Sequence, residues 1–131
     1  MQSVETRIEH VDTDAAGVVH FTRYSSLLET AVLENLERLG IGLSVLAGDD
    51  CSLVVVESRM RYHASARFRD RVRTEVTADH VGPASIRMSG TVHGTAGPLA
   101  TGTLVLGVVD TSGQPTAVPG RLATALKEMS A

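Results

Sequence analysis

The residues best suited to chemistry lie in one stretch, His10-Val11-Asp12-Thr13-Asp14-Ala15-Ala16-Gly17-Val18-Val19-His20-Phe21-Thr22-Arg23-Tyr24. Asp14 sits in a Gly-containing loop just before a segment with helical spacing. A helix start presents backbone N–H groups without intrahelical partners and a partial positive charge. Such donors can hold an oxyanion, the charge that develops in acyl transfer. A neighbouring carboxylate can activate water as a general base or attack the acyl carbon itself. A thioester asks for little more, because a thiolate leaves without strong acid catalysis. Plainer roles compete for the same residues. Asp14 could be a helix cap, Asp12 a loop brace, and His20 a site-lining or partly exposed helix residue. Asp12, Asp14 and His20 lack a recognised metal-ligand spacing, so no metal site is expected.

The elements around this stretch follow from periodicity. Val4 to Val11 alternates as a strand, with Val4, Thr6, Ile8 and His10 on one side. A helix follows, with Leu27, Leu28, Ala31, Val32, Leu36 and Leu39 at helical spacing. It starts near Phe21 or Thr22, with Ser26 and Glu29 spaced for a capping box. Gly40 is its natural stop. Glu29 interrupts an apolar stretch, either as a buried hydrogen-bonding group or as part of a pocket. Four strands come next, over Ser52–Tyr62, Arg71–Val81, Ser85–His93 and Leu99–Val109, joined by short turns such as Gly82-Pro83. Arg121–Met129 reads as a short terminal helix. Short turns imply antiparallel neighbours, and one helix over such a sheet is an α+β architecture. One helix and one sheet leave surface to cover, which points to self-association through the sheet edge or the helix.

Composition excludes several classes. The chain has 131 residues, enough for one domain spanning 1–131 and short for two. The net charge is -3, which argues against nucleic acid or membrane as a general partner. Aromatic content is 3% with no Trp, which disfavours a base-stacking surface. There is no signal-like start and no apolar run of membrane length. Cys51 is the sole cysteine, consistent with a cytoplasmic protein and better read as a packed thiol than as a nucleophile. Arg67, Arg69, Arg71 and Arg73 alternate by two. They read as a solvated strand face or as a docking patch for coenzyme A phosphates or an acidic carrier protein.

Asp12-Thr13-Asp14-Ala15-Ala16-Gly17-Val18-Val19, followed by Tyr24 and Glu29, resembles the signature of hotdog-fold thioesterases of the 4-hydroxybenzoyl-CoA thioesterase type. Arg61-Tyr62-His63-Ala64-Ser65-Ala66-Arg67-Phe68-Arg69-Asp70 is similar to that family's second connection. The resemblance implies a five-stranded antiparallel sheet wrapped around one long central helix. It also implies a homodimer or homotetramer with sites at the subunit interface. By position, Asp14 matches the catalytic carboxylate, the Phe21 N–H the oxyanion donor, and Gly17 the turn glycine. His20, Tyr24, Glu29 and Ser85 are the expected substrate-side residues, and no cofactor is implied. The substrate is an acyl thioester of coenzyme A or of an acyl carrier protein. Basic residues that relatives often carry at the fourth-strand entry are missing from Val81-Gly82-Pro83-Ala84-Ser85. A hotdog dehydratase or hydratase, or a non-catalytic acyl-thioester-binding protein, are the alternative readings.

Overall fold

The computed structural model describes residues 2–130. The element order is β1 (Val4–Arg7), a 3-10 turn (His10–Asp12), α1 (Thr22–Arg38), α2 (Leu43–Gly48), β2 (Cys51–Tyr62), β3 (Arg71–Val81), β4 (Ser85–His93), β5 (Pro98–Asp110) and α3 (Gly120–Lys127). The five strands form one sheet in the order β1-β3-β4-β5-β2, with every pairing antiparallel. This is the hotdog fold, and β1 and β2 are its edges.

Along β3 every second residue turns inward: Val72, Thr74, Val76 and Ala78 are buried. The helix α1 packs across β3, β4 and β5. Its Leu27, Leu28, Ala31, Val32 and Leu36 face the sheet and are buried with Ile86, Met88, Leu104 and Leu106. The 17-residue helix stops as its sequence dictates. Gly40 takes φ +79, and the Gly40 and Ile41 N–H groups close back onto the Glu37 and Leu36 carbonyls at 3.1 and 2.9 Å. That is a Schellman ending, sealed by the buried pair Leu36 and Ile41.

Three expectations need correction, and one element was unforeseen. The first strand ends at Arg7 rather than Val11, because Asp12 turns the chain by accepting the Glu9 N–H at 2.8 Å. Ser26 is no cap: it lies inside α1, and its hydroxyl donates to the Arg23 carbonyl. Leu39 is 38% exposed, since the chain has left the helix there. The short helix α2 was not expected, because six residues are too few to show a period.

One buried polar residue ties β1 to the helix. Asn35 is 2% exposed, accepts the Gln2 N–H at 3.0 Å and donates to the Gln2 and Ala31 carbonyls. It thereby completes the backbone bonding of the strand's lead-in segment.

Candidate active site

Residues 12–20 form a miniature hairpin. Thr13 bridges Val19, and the Asp14 N–H donates to the Val18 carbonyl at 2.9 Å. The tip Asp14-Ala15-Ala16-Gly17 is a turn, closed by Gly17 N–H to Asp14 O at 3.0 Å. Gly17 sits at φ +80, the left-handed region where a β-carbon is costly. Asp14 Oδ1 accepts the Ala16 N–H at 2.8 Å, which fixes the carboxylate's rotamer. Among the described residues its Oδ2 has no hydrogen-bond partner, and the side chain is exposed.

This geometry removes the plain reading of Asp14 as a helix cap. The N-cap of α1 is Phe21, seven positions later, and the Asp14 carboxylate serves its own turn instead. Asp12 is the brace. It holds the Glu9 N–H on one oxygen and pairs with Arg23 Nε at 2.8 Å on the other. Its side chain is only 10% exposed, so this pair is shielded and ties the hairpin to the helix.

The return arm of the hairpin is held from outside. The Val19 N–H donates to the Ala66 carbonyl at 2.9 Å, and Val18 bridges Arg67. The Ala66 N–H in turn donates to the Tyr24 hydroxyl at 3.1 Å. Tyr24 is 3% exposed and buried within its own chain, so it positions this connection rather than a partner.

The helix start shows an unexpected use of His20. Its Nδ1 accepts the Thr22 N–H at 3.3 Å and lies 2.8 Å from the Thr22 hydroxyl. The His20 carbonyl takes the Arg23 N–H at 2.9 Å. Among the described residues the Phe21 N–H has no partner. The Phe21 ring is 59% exposed and stacks on His20 at 4.8 Å. It also meets Tyr62 edge-on at 6.2 Å, and Tyr62 lies 5.8 Å from Tyr24. The sequence reading missed Tyr62 as a neighbour of the site. It sits at the end of β2, 41 positions after Phe21, and no local pattern links the two.

Two expected residues stand apart. Glu29 is half-buried on the flank of α1, without a hydrogen bond or ion pair among the described residues. Ser85 opens β4 beside Gly82, at the Val81 end of β3, whereas the hairpin is joined to residues preceding the Arg71 end. Those ends are roughly 35 Å apart along an 11-residue strand. One chain therefore does not bring Ser85 to Asp14. The arginine run is also not a single strand face. Only Arg71 and Arg73 belong to β3, and Arg67 and Arg69 lie in the turn before it.

Two hollows flank these elements. A cleft of about 330 Å³ separates the Ala64–Val72 segment from the β4–β5 turn. It borders Ala66, which bonds both the hairpin and Tyr24. A wider hollow of about 660 Å³ lies on the open sheet face among Arg59, Thr77, Thr91 and Thr103, and contains none of the candidate residues.

The chain is similar to several known proteins. A protein of Synechocystis sp. designated an esterase is 35% identical over 65 residues, a match covering 50% of this chain and 39% of that protein. The chain therefore matches well under two thirds of that relative's length. A thioesterase from Bartonella henselae superposes with a TM-score of 0.84 at 20% identity, covering 90% of this chain and 98% of that one. A 1,4-dihydroxy-2-naphthoyl-CoA thioesterase from Synechocystis gives 0.87 at 20% identity, covering 98% and 96%. A Thermus thermophilus thioesterase bound to coenzyme A and zinc gives 0.81 at 21% identity, covering 97% and 92%. These likenesses establish the shared fold. The family model for the thioesterase-like superfamily matches residues 8–126, and the chain belongs to that superfamily.

Proposed function

We propose that this chain hydrolyses acyl thioesters, with Asp14 as the reacting carboxylate and the Phe21 N–H as oxyanion donor. The observation that carries the reading is the helix start itself. An unpartnered backbone N–H stands on the helix that follows a rigid turn, and that turn presents a carboxylate with one uncommitted oxygen.

In the general-base route, Asp14 takes a proton from water as the water oxygen bonds to the thioester carbonyl carbon. The carbonyl π electrons move onto oxygen, and the Phe21 N–H stabilises that charge. Collapse of the tetrahedral intermediate re-forms the carbonyl and expels the thiolate, which recovers the proton from Asp14. In the nucleophilic route the carboxylate oxygen itself bonds to the carbonyl carbon and expels the thiolate, and water then cleaves the resulting anhydride. Single turnover in ¹⁸O water separates the routes, because only the second can leave label in Asp14.

Asp14→Asn is expected to lower kcat by about 10²- to 10⁴-fold while the melting temperature holds. Wild-type turnover by folded Asp14→Asn would remove the carboxylate from the mechanism. The carrier is an acyl thioester of coenzyme A or of a carrier protein. The working unit is a homodimer, or a tetramer built from it, because β2 leaves Val54, Val55 and Val56 exposed along an unpaired edge. An enoyl-thioester hydration assay run beside hydrolysis tests the dehydratase alternative.

A further inference from the structure

The two groups assigned to the chemistry stand on different units. Asp14 rides at the tip of the hairpin, whereas the Phe21 N–H belongs to the start of α1. The hairpin's return arm, residues 18–20, runs on into the helix and is pinned from outside by Ala66 and Arg67. The outgoing arm, residues 12–14, carries the carboxylate. Backbone bonds tie it to the return arm: the Asp14 N–H donates to the Val18 carbonyl and the His20 N–H to the Asp12 carbonyl, both at 2.9 Å. A two-stranded hairpin is marginally stable by itself, so the arm needs a further anchor.

Arg23 supplies it. Its Nε lies 2.8 Å from Asp12 Oδ1, with the two side chains only 30% and 10% exposed. The Nε is buried and meets the carboxylate as an ion pair, without the alignment of a hydrogen bond. The other Asp12 oxygen holds the Glu9 N–H at 2.8 Å. One carboxylate thus joins the exit of β1, the arm bearing Asp14 and the helix. With both Asp12 oxygens engaged, Asp14 alone keeps an uncommitted one. The guanidinium is fixed on the helix side as well. Arg23 Nη1 donates to the Ser26 hydroxyl at 2.8 Å, and that hydroxyl donates to the Arg23 carbonyl at 2.8 Å. Among the described residues, no other ion pair or side-chain hydrogen bond runs from α1 to residues 12–16.

The placement runs against local preference. Arg23 is the second residue of α1, where the helix dipole disfavours a cation, and no acidic residue stands in that first turn. Asp12 offsets the charge from another element. Local rules are broken most often at functional sites.

We propose that Arg23 is a positioning residue: through Asp12 it fixes the arm bearing Asp14 relative to the Phe21 N–H, and thereby sets kcat. Its effect on rate rests on the hydrolase reading, while the strap itself does not. Arg23 makes no contact with substrate in this role, so KM is left alone.

The test is a set of variants assayed on the best substrate from a panel of short, long and aromatic acyl-coenzyme A thioesters. Arg23→Gln is expected to lower kcat about ten- to a hundredfold, the scale of a misplacement of about 1 Å, with KM within about twofold. Asp12→Asn lowers it similarly, and the two changes together lose no more than the worse one alone, because both remove one pair. On an Asp14→Asn background, Arg23→Gln costs no further turnover, since no carboxylate is left to position. A merely structural role would lower that residual rate as well. Unchanged kcat in Arg23→Gln, a loss confined to KM, or an equal loss on the Asp14→Asn background overturns the proposal. Should Arg23→Gln not fold, Ser26→Ala decides: kcat lower by about two- to tenfold at constant KM supports the strap, and unaltered kcat overturns it. Wild-type turnover by Asp14→Asn, or no turnover by the wild type, is instead a failure of the hydrolase reading. Amide hydrogen exchange then decides the strap alone. The Asp14 and His20 N–H groups should exchange at least about tenfold faster in Arg23→Gln, with Val32 of α1 and Val76 of β3 unaltered. Unchanged exchange at Asp14 and His20, or faster exchange throughout α1, refutes it.

Discussion

At the scale of single residues, the site depends on small polar groups that hold one another. His20 is the clearest case. Its ring nitrogen takes the Thr22 N–H, the duty usually met by Ser, Thr, Asn or Asp at a helix start. His20→Ala should lower kcat by about three- to tenfold with KM little changed, since a cap is worth about 1 kcal/mol. His20→Asn, which can still accept the N–H, should keep most of the rate. A fall in kcat/KM seen as raised KM in both variants would instead make His20 a substrate contact. A second titratable group shapes acid stability. The Arg73 guanidinium hydrogen-bonded to Glu75 holds its carboxyl below the usual range, aided by the nearby charges of Arg73 and His93. The folded value lies below the unfolded one, so the stabilisation is present above about pH 4.3 and fades as pH falls through the folded value. The group is 46% exposed, so the effect is modest. Melting curves of Glu75→Gln should drop less steeply than wild type between about pH 5 and 3. Parallel curves would deny Glu75 this role.

At the scale of elements, the helix sits close to the sheet because a glycine lets it. Gly90 of β4 pairs across the ladder with Gly102 of β5. A β-carbon on Gly90 would stand 2.5 Å from Leu28 Cδ2 and 2.7 Å from the Glu75 carbonyl oxygen. Leu28 could turn away, but the carbonyl belongs to the adjoining strand and cannot move without shifting the ladder. Gly90→Ala should therefore cost about 1–3 kcal/mol, an overpacking penalty. Thermal unfolding checks it, and an unchanged melting temperature would mean the sheet yields at this point. Since α1 carries Phe21 and Tyr24 at its start, the same change should also lower turnover. Helix position and site geometry are linked through Leu28. The helix and the four later strands were legible in the sequence, because each repeats its own period over nine or more residues. The helix α2 and the early end of β1 were not, since a six-residue segment and a one-carboxylate turn show no period.

At the scale of the molecule, one exposed edge bears on the proposed dimer. β2 is twelve residues long and pairs on one side only. Val56 is 61% exposed there, beside Val54 and Val55 at 40% and 43%. A bare apolar edge of that length invites another strand. Val56→Glu should shift the protein from dimer toward monomer, read by sedimentation, with activity falling in step. An unaltered sedimentation profile would move the interface elsewhere.

By itself the sequence determined the local objects. These are the Asp14 turn with its glycine, the helix after it, the strand faces, and the family likeness that joins them. Such features depend on periods and turn chemistry within a few residues of one another. Only the tertiary structure decided what each object meets. It pinned the hairpin to Ala66 and Arg67, turned the His20 ring onto the Thr22 N–H, and set Tyr62 beside Phe21. It also put Ser85 at the far end of β3 and paired Arg23 with Asp12. The reason is physical. Strand pairing and register are fixed by contacts between residues tens of positions apart, and no local pattern records which edges will meet.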